Sequence, residues 1–357
     1  MRRYMIFGAK SVAIDVCEAM RALEPDKHIE GFLVSNALGN PRELAGLPVR
    51  ELDEIDQAER PEIHVIVATP EILHEEIGDL LSARGFTDHS FIASADEAAL
   101  LERYYASRGI FPALRSLPIG DKRTVPNIYA VAFHGDKALR NPPQFPPYVH
   151  RLHVGCAMEP GKGKRTLGEF YDDTGENISG KNPNYCEMTA FYWIWKNALG
   201  LKDDYVGVYH YRRTLDIMEE DLSRMAVADV DVVLPFPMQH LPDIREHHAR
   251  YVKEADWQAM LKALQELYPE YYERYDEIFS GRYFYNYNLL VAKERVFADY
   301  CAWVFPLLEH TEKLSNPKGW ERGDRYTAYM SESLLTLYFM YHKDELRIYH
   351  AGRILHI

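Results

Sequence analysis

The chain has 357 residues, which at roughly 150 residues per domain suggests two domains. Hydrophobic residues make up 47% and charged residues 27%, ordinary globular usage that excludes disordered and fibrous classes. With 41 Lys and Arg against 54 Asp and Glu, the net charge of −13 argues against non-specific nucleic-acid binding but leaves room for a local basic pocket. No stretch approaches the roughly 20 apolar residues of a membrane span. The opening MRRYMIFGAK lacks the apolar region and cleavage site of a signal peptide, so a cytoplasmic protein is expected. The four cysteines, Cys17, Cys156, Cys186 and Cys301, are widely spaced without a CxxC and read as reduced thiols.

In chain order, RYMIFG (3–8) predicts a buried strand, and 11–23 a helix with Val12, Val16, Met20 and Leu23 on one face. Strands follow at 31–34, 47–51 and 64–69, then a helix at 71–85 ended by Gly85, then a strand at 90–93. This alternation predicts a parallel, Rossmann-like sheet over residues 1–100. Its first turn, GAKSVA from Gly8, lacks the second and third glycines of a dinucleotide fingerprint. Lys10 and Ser11 could still hold a phosphate at a helix start. A scaffold or interaction role is expected here, with bound NAD or nucleotide as the alternative.

Composition changes near residue 127. Only Tyr4, Tyr104 and Tyr105 of the 25 tyrosines precede it, and all five tryptophans follow it. Residues 101–126 read as a helix and a proline-containing connector, and NIYAVAF (127–133) opens a second α/β segment. NPPQFPPY (141–148) is a rigid loop.

The densest polar and aromatic block runs from Tyr171 to Arg213. DDTGENISGKNPN is turn-rich. It leads to a helix near 184–198 and the strand YVGVYH (205–210), with DVVLP (231–235) as a further strand. Arg212 and Arg213 follow a parallel strand at its carboxyl end, where open α/β sheets bind ligands, and their guanidinium forks suit phosphate. Pairing with Asp203–Asp204 is the alternative, and His210 could be structural. Asn184 and Glu187 match a helix-capping pattern. Phe191, Trp193, Ile194 and Trp195 read as core. Asn177, Lys181 and Asn182 could reach a nucleotide or sugar hydroxyl, or only shape the turn.

The strings DDTGENISGKNPNYCEMTAFYWIWKN and YVGVYHYRR resemble the signature of the domain-of-unknown-function family numbered 4422. FYNYNLLVAKERVFADYCAWVFPLLE (284–309) and MSESLLTLYF (330–339) resemble its later blocks. The family occurs among bacterial capsular and exopolysaccharide biosynthesis proteins and is thought to contain GT-A glycosyltransferases. The chain departs from its pattern in Thr214 and Leu215, where the family has an aromatic pair, and in Ser333, where it has an arginine. The resemblance covers about residues 127–357 and implies a GT-A-like nucleotide-sugar-binding domain there; with the small Rossmann-like domain (1–100) and the connector (101–126) read above, the expected fold class is α/β.

Most GT-A enzymes hold the donor diphosphate through a metal bound by Asp-x-Asp after a central strand. Here that strand ends in His210-Tyr211-Arg212-Arg213, so arginine is expected to replace the metal. DVD at 229–231 is the competing motif, and Mn or Mg stays open. The implied donor and diphosphate residues are His210, Arg212, Arg213, Asn177, Lys181 and Asn182. For inverting transfer, the candidates for the carboxylate that deprotonates the acceptor are Glu332 first, then Asp324, then Glu187, with a helix-start role as the alternative for Glu332. Asn286 and Asn288 would contact donor or acceptor sugar, and His247 with His248 would flank the acceptor loop or simply face solvent.

The implied partners are a nucleotide sugar, UDP-linked by expectation, and a glycan or lipid-linked glycan acceptor, with no nucleic acid. Peripheral contact with membrane-bound polysaccharide assembly proteins fits the same resemblance. No cofactor beyond the donor is expected. Two other classes remain: a NAD-dependent sugar-modifying enzyme centred on the first domain, and a non-catalytic carbohydrate-binding assembly protein.

Overall fold

The computed structural model describes residues 2–158, 168–200 and 205–357. The chain opens with β1 (Arg3–Phe7), α1 (Ser11–Leu23), β2 (Ile29–Val34), β3 (Glu43–Leu44), β4 (Leu47–Glu51) and β5 (Ile63–Val67). It continues through α2 (His74–Ala83), β6 (Asp88–Phe91) and α3 (Ser94–Arg108). These strands form a sheet of order β3-β4-β2-β1-β5-β6, parallel except where β3 meets β4. Met5, Ile6, Phe7, Phe32, Leu33, Val65 and Val67 are buried along consecutive positions, as strands covered on both faces require.

Gly8 takes the chain out of β1 at φ +124°, and a Cβ there would sit 2.8 Å from the Ala68 carbonyl oxygen. The first glycine of the incomplete fingerprint is therefore needed by the turn itself. Helix α3 starts at Ser94 rather than at the expected residue 101. Asp96 and Glu97 lie in its first turn, where the helix dipole favours acids.

The second half contributes β7 (Asn127–Ala132), β8 (Val149–His153), β9 (Phe170–Tyr171), α4 (Asn182–Tyr185), α5 (Met188–Asn197), β10 (Tyr205–His210) and β11 (Arg213–Leu215). Then come α6 (Glu219–Val227), β12 (Val232–Pro235), β13 (Met238–Gln239), α7 (Glu254–Leu267), α8 (Pro269–Phe279), β14 (Tyr283–Phe284) and β15 (Leu290–Lys293). Helices α9 (Glu294–Leu314) and α10 (Tyr326–Tyr341) precede the closing strands β16 (Ile348–Ala351) and β17 (Arg353–Leu355). The 141–148 segment is irregular, as its prolines dictate.

The second sheet has the order β16-β12-β15-β10-β7-β8-β9, with β15 antiparallel to both neighbours and the β10-β7-β8-β9 run parallel. The chain moves from β7 out to β8 and β9, then returns to lay β10 on the other side of β7. That reversal is a topological switch point, and it opens a crevice beyond the strands' carboxyl ends.

The aromatic bias of this half fills the layer between the sheet and its helices. Phe191 stacks on Phe297 at 5.4 Å, and Trp257, Tyr300 and Tyr326 are buried. Trp195 is half-buried and stacks on Phe305 at 5.8 Å.

The two sheets are joined by buried polar contacts. The Gln239 amide donates to Asp15 at 3.0 Å, Tyr105 to the Pro237 carbonyl at 2.7 Å, and Arg353 pairs with Glu97 at 3.2 Å. Burial pushes the Asp15 carboxyl well above its usual range. Among the described residues, no helix is long and apolar enough to cross a membrane.

Candidate active site

A cleft of about 420 Å³ lies over the carboxyl ends of β7, β8 and β10. Its volume falls within the roughly 300–1,000 Å³ of small-molecule sites. Phe133 and Asp136 enter it from beyond β7, Val154 from beyond β8, and His210, Arg212 and Arg213 from the end of β10. Asn182, Cys186 and Glu187 close one wall, and Arg325 another.

The Glu187 wall depends on a break in the chain. The expected continuous helix over 184–198 is instead two helices, α4 and α5, separated at Cys186 with φ +46° and ψ −122°. Asn184 consequently caps nothing. Its amide donates to the Gly319 and Arg322 carbonyls at 2.6 and 2.8 Å, and its oxygen accepts the Asp324 amide at 3.0 Å. These bonds pin the loop that delivers Arg325. Glu187, released from any capping role, accepts from Asn288 Nδ2 at 2.7 Å.

Opposite stands a second strained turn. Tyr287 and Asn288 have φ of +75° and +45°, and Arg325 at the start of α10 has +66°. Cys186 and Arg325 line the cleft, and the Tyr287–Asn288 turn holds the carboxylates Glu332 and Glu187, so backbone strain is stored at the site. The turn orients both ends of the Tyr287 peptide. Its N–H donates to Glu332, and its carbonyl accepts from His210. Two guanidiniums pack over the Tyr287 ring, Arg213 at 4.2 Å and Arg353 at 5.2 Å.

Glu332 sits at the end of the second turn of α10, which Arg325 precedes as its N-cap residue. Burial first, and the neighbouring Glu187 charge second, push its carboxyl up to about 8, against the pull of the Tyr287 amide, Arg213 and Arg325. Burial also raises Glu187, opposed mainly by the Asn288 hydrogen bond. His210 is driven down to about 3 by burial and by Arg213 and Arg212, so its ring is neutral at physiological pH. Arg212 Nε is buried without a partner, a donor left unused beside the cleft.

The structure brings His210, Arg212, Arg213, Asn182, Glu187, Asn288 and Glu332 to this region and distributes the other sequence candidates elsewhere. Lys181 pairs with Glu312 at 2.6 Å. Asn177 serves its own turn, accepting from the Ser179 amide at 3.2 Å and donating to the Gly175 carbonyl at 3.0 Å. Asp324 is held on the surface by Arg322 at 2.7 Å. Asn286 donates to Met238 Sδ at 3.0 Å. His248 stacks on Trp257 at 4.1 Å, and His247 lines a different cavity. Asp203 and Asp204, the alternative partners for the arginines, lie outside the described residues.

Asp136, Tyr287 and Arg325 belong to the site without having been singled out in the sequence. Arg325 had a signal, its two-turn spacing from Glu332. Tyr287 stands between the two asparagines of the NYN string.

A metal bound as in most GT-A enzymes does not fit the side chains present. Where Asp-x-Asp would follow the central strand, the chain offers His210 and two arginines. Asp229 and Asp231 of the DVD string are committed to Lys293 and Arg347. Among the described residues no group of three or more His, Cys, Asp or Glu is arranged to hold a metal ion.

Comparison with known proteins gives two matches. The sequence profile described as Domain of unknown function (DUF4422) covers residues 128–344. The apo structure of the bifunctional glycosyltransferase WbbM superimposes with a TM-score of 0.53 and 28% sequence identity, over 64% of this chain and 45% of that one. The chain thus spans less than half the length of that protein. No curated protein matches.

Proposed function

The chain belongs to the DUF4422 family, and from that premise we propose that it is a glycosyltransferase. Its donor is a nucleotide sugar, UDP-linked by first expectation, and its acceptor a hydroxyl of a growing surface polysaccharide or lipid-linked glycan precursor. One observation carries this reading. At the switch point of the second sheet, Arg212, Arg213, Arg325 and Glu187 line one cleft of nucleotide-sugar size, and Glu332 lies within electrostatic reach of Glu187, Arg213 and Arg325. The likeness to a bifunctional glycosyltransferase supports the same class.

The chemistry follows from the charges. The bond between the sugar's anomeric carbon and the diphosphate breaks with its electron pair leaving on phosphate oxygen, and the arginines stabilise that charge. The acceptor oxygen bonds to the anomeric carbon and gives its proton to Glu332. Asn288 and the Tyr287 peptide hold Glu187 and Glu332 in place, and neutral His210 adds no competing positive charge. In this mechanism arginine does the work that a divalent metal does in most GT-A enzymes.

The test is release of nucleoside diphosphate from a panel of nucleotide sugars by the purified chain. Wild-type turnover, with a loss of about 10²–10⁴ in Glu332→Gln, supports the assignment. Near-normal turnover in that variant overturns Glu332 as the base, and no turnover with any donor in the presence of glycan acceptors counts against the reaction class.

A further inference from the structure

The turn that carries Tyr287 and Asn288 has to be held in place, since φ is +75° at the first and +45° at the second. Asparagine takes up that conformation readily, but a bulky tyrosine does not, so contacts to Tyr287 must offset the strain. Its ring receives two guanidiniums, Arg213 from β11 and Arg353 from β17. Arg213 lines the cleft, whereas Arg353 lies on a small cavity of about 60 Å³ that Arg213 and Tyr287 share with Ser94 and Glu97.

Arg353 has fixed partners. Its Nη2 pairs with Glu97 at 3.2 Å, with the two side chains only 12% and 8% exposed. Its Nη1 donates to Met238 Sδ at 3.0 Å, and the same sulfur accepts from Asn286 Nδ2 at 3.0 Å. Arg353 thus reaches two consecutive residues, Asn286 through Met238 and Tyr287 directly. The third, Asn288, donates from Nδ2 to Glu187 and to Ser331 Oγ at 2.7 and 2.9 Å.

Glu97 stands on α3, and the backbone of β17 is seated against that helix. Gly352, next to Arg353, leaves no room for a Cβ against Ala98, next to Glu97. The ion pair therefore joins two backbones already in contact, and a planar fork held by a carboxylate and a sulfur keeps little freedom.

We propose that Arg353 is a positioning residue, held by Glu97 of α3, that keeps the Tyr287–Asn288 turn in the conformation presenting Glu332 and Glu187. What those carboxylates do rests on the transferase reading; that the turn is held does not. The elements of the first sheet thereby take part in catalysis through the turn.

The test removes both charges together, in Glu97→Gln/Arg353→Met, because a buried charge left alone would report on stability rather than on the turn. Turnover, kcat, should fall about 10–10²-fold, with UDP affinity changed far less. Glu332 is faced by the Tyr287 amide, Glu187, Arg213 and Arg325, with Tyr251 and Cys186 also within electrostatic reach. The Tyr287 amide holds its carboxyl down, so a loosened turn should move the Glu332 titration to higher pH. That titration is followed by carbon-13 NMR of the glutamate carboxyls, assigned with Glu332→Gln, and needs no turnover. Tyr287→Leu should move it the same way, and adding the double variant to Tyr287→Leu should move it no further. Arg353→Lys keeps a charge for Glu97 but loses the arm on Met238, so it should give a smaller shift of the same sign, and it replaces the double variant if that chain does not fold. An unmoved titration in the folded variant, or an undiminished further shift on the Tyr287→Leu background, overturns the positioning role. If the wild-type chain turns over no donor, the transferase reading fails by itself, while the titration still decides whether Arg353 holds the turn.

Discussion

Each of the two sheets has a parallel strand at its centre and a reversal in strand order, so each has a crevice where a nucleotide could lie. Their fates differ. In the first sheet the space beyond β1 and β5 is occupied by the end of the chain: Leu355 donates to Ser94 at 3.0 Å, and Arg353 pairs with Glu97. About 60 Å³ remains, walled by Thr69, Ile92 and Arg353 among others. The second crevice keeps about 420 Å³ and carries the arginines and carboxylates. Topology offers a place for a ligand, and the side chains beyond the strand ends decide whether it is used. The closed crevice still serves the open one, since Arg353 and Arg213 both pack over the Tyr287 ring.

The largest effect should come from emptying the open crevice of charge. Arg212→Ala/Arg213→Ala should lower transfer by about 10³ or more while the melting temperature stays near wild type. Comparable turnover in variant and wild type would remove the arginines from the mechanism.

Glu332 gives a pH signature next. Its carboxyl must be ionised to accept a proton, so kcat/KM should rise with pH and level off above about 8, and Glu332→Gln should abolish the slope. Stability should move the opposite way. Between the ordinary value of 4.5 and about 8, the folded chain holds a proton that the unfolded chain releases, so stability falls as pH rises. Urea titrations at pH 5 and 8 should show that fall in wild type and a smaller one in Glu332→Gln.

A smaller effect belongs to the closed crevice. Glu97→Gln leaves Arg353 buried without its counter-charge and should cost about 3–5 kcal/mol of stability, measured by urea denaturation. Because Glu97 lies outside the cleft, UDP affinity should change far less than stability does. Reduced affinity with unchanged stability would place ligand chemistry in the first sheet.

The sequence made some of this legible. Hydrophobic runs bounded by turn residues marked β4 and β10 at their observed limits, and a four-residue spacing of apolar side chains marked α1. The break at Cys186 was not legible, because no proline or glycine stands there. It is held by a distant partner, Arg325, which donates to the Cys186 sulfur at 3.1 Å, and by a local one, Asn182, which donates to the Cys186 carbonyl at 3.0 Å.

The same holds for the site. Arg212 and Arg213 could be placed because they follow a strand, and Glu187 and Glu332 because their strings resemble a family. What Tyr287 does depends on a left-handed backbone that its sequence neighbours do not announce. The closure of the first crevice depends on Arg353 and Leu355, more than 250 residues away from Glu97 and Ser94 in the chain.

The most direct measurement is thermal unfolding of the chain with UDP, GDP, CDP, CMP, TDP and NAD, each with and without manganese. A ligand that binds the folded state adds about 2.7 kcal/mol at a hundredfold excess over its dissociation constant. The account predicts a shift with one nucleoside diphosphate, independent of manganese and lost in Arg212→Ala/Arg213→Ala. A shift with NAD alone would contradict it by placing the ligand in the crevice that the end of the chain fills.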